Sequence, residues 1–142
     1  MEITRIKLVS VEPHPSLCEQ IRRALQRVLG FEIIGEAPNA EQAVKLLADR
    51  APDVVIADIH LPDMCSLQAV PLWLGKAPQA QVILLTDEDD ERYTRAAKKN
   101  GASACLRKDR IGTGLPGLVN KLMEARRAKD STANSSLRKE KK

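Results

Sequence analysis

Two kinds of apolar pattern alternate along the chain. Ile6-Lys7-Leu8-Val9-Ser10-Val11 is a β-rich run ended by Pro13 and Pro15, and after it Leu17, Ile21, Ala24, Leu25 and Val28 recur at helical spacing. A strand followed by a helix is predicted, with Gly30 stopping the helix. A second β-rich run covers Phe31 to Gly35. Asn39 is placed to cap the next helix, with Gln42 reaching back from its third position, and Ala40, Ala43, Val44 and Leu47 supply the apolar face. The alternation continues with a strand Asp53 to Asp58, a helix near Ser66 to Lys76, a strand Gln81 to Thr86 and a helix Asp90 to Asn100 closed by Gly101. A short strand at Ala104 to Leu106 and a helix from about Thr113 to Arg127 complete it. Pro71 breaks a local rule, because about five residues into a helix its ring meets the carbonyl one turn back. The third helix is expected either to start late or to bend.

Five βα units of about 24 residues imply an α/β fold, a doubly wound five-stranded parallel sheet with helices on both faces. Continuous apolar stretches such as Val54-Val55-Ile56 suit strands buried on both sides.

A length of 142 residues favours one domain, and 43% apolar with 30% charged residues belongs to globular rather than disordered or fibrous chains. The strongest apolar runs, Val54 to Ala57 and Val82 to Leu85, fall far short of the ~18 residues of a membrane helix. Met1-Glu2-Ile3-Thr4-Arg5 has neither an apolar signal core nor a small-residue cleavage site, so a cytoplasmic protein is expected. Cys18, Cys65 and Cys105 are widely spaced, with no C-x-x-C pair, and read as reduced thiols.

The net charge of +4 changes meaning once it is located. Residues 128–142 hold five basic and two acidic side chains and almost nothing apolar, which leaves the body nearly neutral and makes 1–127 the expected domain and 128–142 a basic, disordered tail. With only Phe31, Trp73 and Tyr93 as aromatics, a base-stacking surface is not supported.

In an open parallel sheet, ligands bind outside the carboxyl ends of the strands. Those ends carry Glu12, Asp58, Thr86 and Lys108, two carboxylates, a hydroxyl and an ammonium suited to a phosphoryl group. Asp58 could attack phosphorus to give an acyl phosphate, with Lys108 and a metal neutralising the phosphoryl oxygens and Thr86 donating to one of them. The two histidines, His14 and His60, lie near the same edge, but no transition-metal site is read from them. A dehalogenase-type phosphatase would need a second aspartate two residues after Asp58; His60 stands there, which disfavours an enzyme.

Val11-Glu12-Pro13-His14-Pro15, Pro52 through Asp58 to Pro62, Val82-Ile83-Leu84-Leu85-Thr86 and Gly101 through Lys108 to Asp109 match, in order, the landmarks of one family. Residues 5 to about 127 resemble the receiver domain of two-component response regulators, a CheY-like fold, and more closely its NarL/LuxR type. The resemblance implies a flavodoxin-like (βα)5 fold of strand order 2-1-3-4-5. It makes Asp58 the phosphoacceptor, Thr86 the switch hydroxyl and Lys108 the phosphate-pairing base, with Mg²⁺ held by Asp58, the His60 backbone carbonyl and an acidic pair after strand one. Expected partners are a sensor histidine kinase or phosphotransfer protein, and a downstream protein or second copy at the face of helix four, strand five and helix five. No membrane is expected, and nucleic acid only through a fused output domain.

Four departures stand out. The acidic pair is Glu12-Pro13, so one carboxylate is missing and the Mg²⁺ site is weakened. Cys105 replaces the aromatic switch, Cys65-Ser66 replaces the usual Asp-Gly, and Lys108-Asp109 replaces Lys-Pro, so no cis bond is assumed. The first reading is a signalling receiver that accepts phosphoryl at Asp58 and answers by altered protein binding. The alternatives are a degenerate receiver binding partners without phosphorylation, and the receiver part of a longer LuxR-type transcriptional regulator.

Overall fold

Successive side chains of a strand point to opposite faces, so a strand buried on both sides needs apolar residues throughout. The computed structural model, which describes residues 5–140, shows this most fully in β3 (Val54–Asp58) and, after Gln81, in β4 (Gln81–Thr86), while β1 (Ile6–Val11) admits exposed Lys7 and buried Ser10. With β2 (Phe31–Ala37) and β5 (Ala104–Arg107) they form one parallel sheet in the order β2-β1-β3-β4-β5, as expected. The helices are α1 (Pro15–Gln26), α2 (Ala40–Asp49), α3 (Ser66–Lys76), α4 (Glu91–Lys99) and α5 (Ile111–Glu140).

One set of strand residues, Val9, Val11, Val55, Ala57, Val82 and Leu84, packs with Ala43, Leu47, Val70, Trp73 and Ala97 of α2, α3 and α4. The alternate set, Ile6, Leu8, Val54, Ile56, Ile83 and Leu85, packs with Ile21 and Leu25 of α1 and Leu115 and Val119 of α5. The result is three layers with a core on each side of the sheet.

Local rules account for the starts of α2 and α4 and for the end of α4. Asn39 accepts the Gln42 backbone N–H at 2.8 Å and Asp90 that of Arg92 at 2.8 Å, each supplying an acceptor to a helix start. Gly101 takes φ of 107° in the turn after α4, a conformation that costs glycine little.

Two elements differ from expectation. α3 starts at Ser66 and carries Pro71 inside it, so the late start does not occur and the Leu67 carbonyl forgoes the bond that Pro71 has no N–H to make. α5 runs to Glu140 rather than ending near Arg127, through most of the stretch read as a disordered tail. The low apolar content there suggests disorder, but residues 118–140 contain neither glycine nor proline to stop a helix already anchored by Leu115 and Val119. Residues 1–4, which carry most of the segment read for a leader, and residues 141–142 of the tail lie outside the described residues. Among the described residues no helix is long and apolar enough to cross a membrane.

Candidate functional site

Sheet register brings the expected residues to one edge. Val11 pairs with Ala57, so Glu12 and Asp58 follow side by side from adjacent strands; Asp58 pairs with Leu85, and Thr86 with Arg107, which places Thr86 and Lys108 next along the same edge. Lys108 itself opens a 3-10 turn, Lys108–Arg110, directly after β5.

Asp58 is the hub. It is fully buried, its carbonyl accepts the Ser66 hydroxyl, and its Oδ1 accepts the His60 backbone N–H at 3.0 Å. The Lys108 ammonium lies 3.1 Å from Asp58 Oδ2 but off the hydrogen-bond direction, so Oδ2 has an ion partner and no hydrogen-bond donor. The same ammonium is 3.0 Å from Asp87 Oδ1. Burial by itself would lower the Lys108 pKa, but Asp87 and Asp58 outweigh it, and the group is held above the usual lysine range.

Glu12 is also buried. Its Oε1 accepts the His14 backbone N–H at 3.0 Å and lies 2.8 Å from His14 Nδ1, while Oε2 has no partner. Burial pushes the Glu12 carboxyl above the ordinary glutamate range; the His14 N–H groups pull it down and the neighbouring Asp58 carboxylate pushes it up. His14 Nδ1 is 3.9 Å from Asp58 Oδ2.

Thr86 is buried and lines a cavity of about 140 Å³ together with Ile59, His60, Asp87, Glu88 and Tyr93. Cys105, half-buried on β5, packs against the core on the α2 to α4 side, and burial raises its thiol pKa. All peptide bonds of the described residues are trans.

Of two further residues at this edge, Asp87 goes beyond the sequence reading, and His14 is placed near the edge by the sequence without its contacts. Asp87 takes part in holding Lys108; its signal was the acidic run Asp87-Glu88-Asp89-Asp90 directly after a strand end. His14 turns its ring toward both carboxylates. The histidine two residues after Glu12 was visible, but the direction of its side chain was not.

A family model described as the response regulator receiver domain matches residues 8–115. The chain belongs to this receiver family. Among related proteins, it is 30% identical over 105 residues to the transcriptional regulatory protein DegU of Brevibacillus brevis, covering 74% of this chain and 44% of that protein. It is 24% identical over 102 residues to the nitrate/nitrite response regulator protein NarL of Escherichia coli K12, covering 72% and 47%. The receiver thus spans about half the length of these curated relatives. In fold it is similar to the signal receiver domain of the putative response regulator NarL from Mycobacterium tuberculosis, with a TM-score of 0.73, 24% identity and coverage of 82% of this chain and 98% of that one. A LuxR-family two-component response regulator from Aurantimonas sp. SI85-9A1 gives a TM-score of 0.80 at 23% identity, covering 86% and 87%. Receiver domains bind Mg²⁺ through acidic residues, and this receiver brings Glu12 and Asp58 together as such a cluster.

Proposed function

We propose that Asp58 is the phosphoryl acceptor of this receiver. One observation carries the reading: the Asp58 carboxylate ends a central strand at the carboxyl edge of the sheet, with the Lys108 ammonium 3.1 Å from its Oδ2, which pairs a nucleophilic oxygen with a cation for the phosphoryl group. The carboxylate forms a bond to phosphorus as the bond from phosphorus to the donor's leaving group breaks, leaving an acyl phosphate. Lys108 pairs with a phosphoryl oxygen, and the Thr86 hydroxyl donates to another.

A divalent cation suits the same edge, because the buried Glu12 Oε2 and Asp58 Oδ2 both lack hydrogen-bond donors. Glu12, Asp58 and the His60 carbonyl would hold it, with one carboxylate fewer than the receiver pattern because Pro13 supplies none. When bound, the cation neutralises charge on the phosphoryl oxygens.

The donor is a sensor histidine kinase or a phosphotransfer protein, and the output is a change in protein binding, to a downstream protein or a second copy, at the face of α4, β5 and α5. We read the chain as a cytoplasmic signalling receiver rather than an enzyme, with residues 1–127 as the receiver and 128–142 as a basic tail whose residues 128–140 continue α5. Coverage of about half of its relatives supports the reading that such a receiver works within a longer LuxR-type regulator. Pro13 favours the competing reading, a module that binds partners without phosphorylation. Incubation with acetyl phosphate and Mg²⁺ followed by intact mass spectrometry separates the two. One phosphoryl group on the wild type and none on Asp58→Asn supports the acceptor; no adduct at saturating Mg²⁺ leaves the phosphorylation-independent module.

A further inference from the structure

We propose that Glu12, His14 and Asp58 form a mixed nitrogen and oxygen cation site that selects a first-row transition ion, with Zn²⁺ as its probe, over Mg²⁺. The inference rests on reading this edge as the receiver's acidic site and changes what that site prefers.

Three observations lead to it. One ligand atom from each of Glu12, His14 and Asp58 lies within 4.8 Å of the others, with His14 Nδ1 2.8 Å from Glu12 Oε1 and 3.9 Å from Asp58 Oδ2. Donors bound to one ion at about 2.1 Å stand about 3.0–4.2 Å apart across the common coordination angles, so these two separations need only small adjustment. The second observation is the pair of buried carboxylate oxygens, Glu12 Oε2 and Asp58 Oδ2, that lack hydrogen-bond donors at this point. Buried polar atoms normally find partners, and a cation is one that serves both. Third, the charges at this edge do not balance: Glu12, Asp58 and Asp87 contribute three carboxylates and Lys108 one ammonium, which it divides between Asp58 and Asp87.

The backbone that carries the imidazole is restricted. Pro13 fixes its own φ, and Pro15 restricts the residue before it to extended backbone, which His14 adopts with φ of −91° and ψ of 119°. His14 occupies the N-cap of α1 without making a side-chain cap bond, so its ring is not needed for the helix. Transferring the ring proton to Nε2 frees Nδ1 to bind.

The choice of ion follows from the donor set. Mg²⁺ takes oxygen ligands in near-octahedral geometry and binds weakly where carboxylates are few. Imidazole nitrogen suits zinc, copper, nickel and iron, whereas magnesium favours carboxylate, carbonyl and water oxygen. Where the receiver pattern has a second carboxylate, this chain has Pro13, and the imidazole of His14 is the further donor beside Glu12 and Asp58.

Titration calorimetry of Zn²⁺ and of Mg²⁺ into the wild type and His14→Gln tests this, with melts in EDTA confirming that the variant folds. Cys18, Cys65, Cys105 and His60 remain in the variant, so Zn²⁺ held by those residues does not change between the two proteins. The expected result is a loss of about tenfold or more in Zn²⁺ affinity and a change of less than about threefold for Mg²⁺, the scale typical of disturbing a metal's ligand environment. Equal changes for both ions, or no change for Zn²⁺, overturn the inference. Phosphoryl uptake with Mg²⁺ is scored on the same proteins: uptake without His14-dependent Zn²⁺ binding overturns this site and leaves the acceptor reading standing, whereas His14-dependent Zn²⁺ binding without uptake supports the site and removes the acceptor reading.

Discussion

Lys108 Nζ lies 3.1 Å from Asp58 Oδ2, and this one ammonium is what offsets a fully buried aspartate whose neighbour, Glu12, is a second buried carboxyl. Removing one member of a buried pair leaves the other uncompensated, which costs more than the pair itself contributes. Lys108→Met is therefore expected to lower stability in EDTA by about 3 kcal/mol, at the low end of the range for such pairs because Lys108 keeps some solvent contact. A divalent cation should restore more of that loss than it adds to the wild type, since it brings positive charge to the same Asp58 carboxylate. Urea unfolding of both proteins with and without cation measures the two effects; a variant as stable as the wild type in EDTA contradicts this account of the pair.

Pro13 stands where the receiver pattern carries a carboxylate. Pro13→Asp adds a charged ligand and should tighten Mg²⁺ binding about tenfold, equivalent to about 1.4 kcal/mol. The same substitution crowds a third acid beside Glu12 and Asp58 and should lower the melting temperature in EDTA. The loss of proline also loosens the unfolded chain, but equally with and without metal, so it cancels from the Mg²⁺-dependent gain. Thermal melts across a Mg²⁺ titration check both directions. Equal Mg²⁺-dependent gains in the two proteins would place the loss of affinity elsewhere than Pro13.

Asp63 ties the loop after β3 to the start of α2. Its carboxylate accepts the Ala40 N–H at 2.9 Å and the Glu41 N–H at 3.0 Å, and these bonds, Ala40 foremost, hold its pKa below the usual aspartate range. A depressed folded-state pKa means stability that is present above the unfolded value and lost as pH falls through the folded one. Asp63→Ala should cost about 1 kcal/mol at neutral pH, as loss of a helix cap does. The difference from wild type should shrink below pH of about 4, where unfolded aspartate takes up its proton. Denaturant unfolding at pH 7 and pH 3 tests it, and a difference constant over that range contradicts the assignment.

The strands and the site were legible for the same reason. In a parallel sheet buried on both faces, a polar residue is tolerated at a strand's carboxyl end, so Glu12, Asp58, Thr86 and Lys108 stand out against Val11, Ala57, Leu85 and Leu106. What depended on side-chain direction was not legible. The His14 side chain stays largely exposed yet brings Nδ1 to Glu12, and Asp87 could have turned away from Lys108; only the folded arrangement decides each. The end of α5 is not legible in the sequence because low apolar content and the absence of helix breakers argue oppositely over residues 128–140, where the chain stays helical. Pro71 leaves two outcomes open, a late start or a bend, and the start at Ser66, with Val70 and Trp73 packed into the core, excludes the first.

The central claim is that the nucleophile is the Asp58 carboxylate and no other acid at this edge. Borohydride reduces an acyl phosphate to an alcohol, so trapping after treatment with acetyl phosphate and Mg²⁺, followed by peptide mass spectrometry, reports the modified position directly. The account predicts homoserine at residue 58 and unmodified Glu12 and Asp87. Reduction at Glu12 or Asp87, with residue 58 still aspartate, would contradict it.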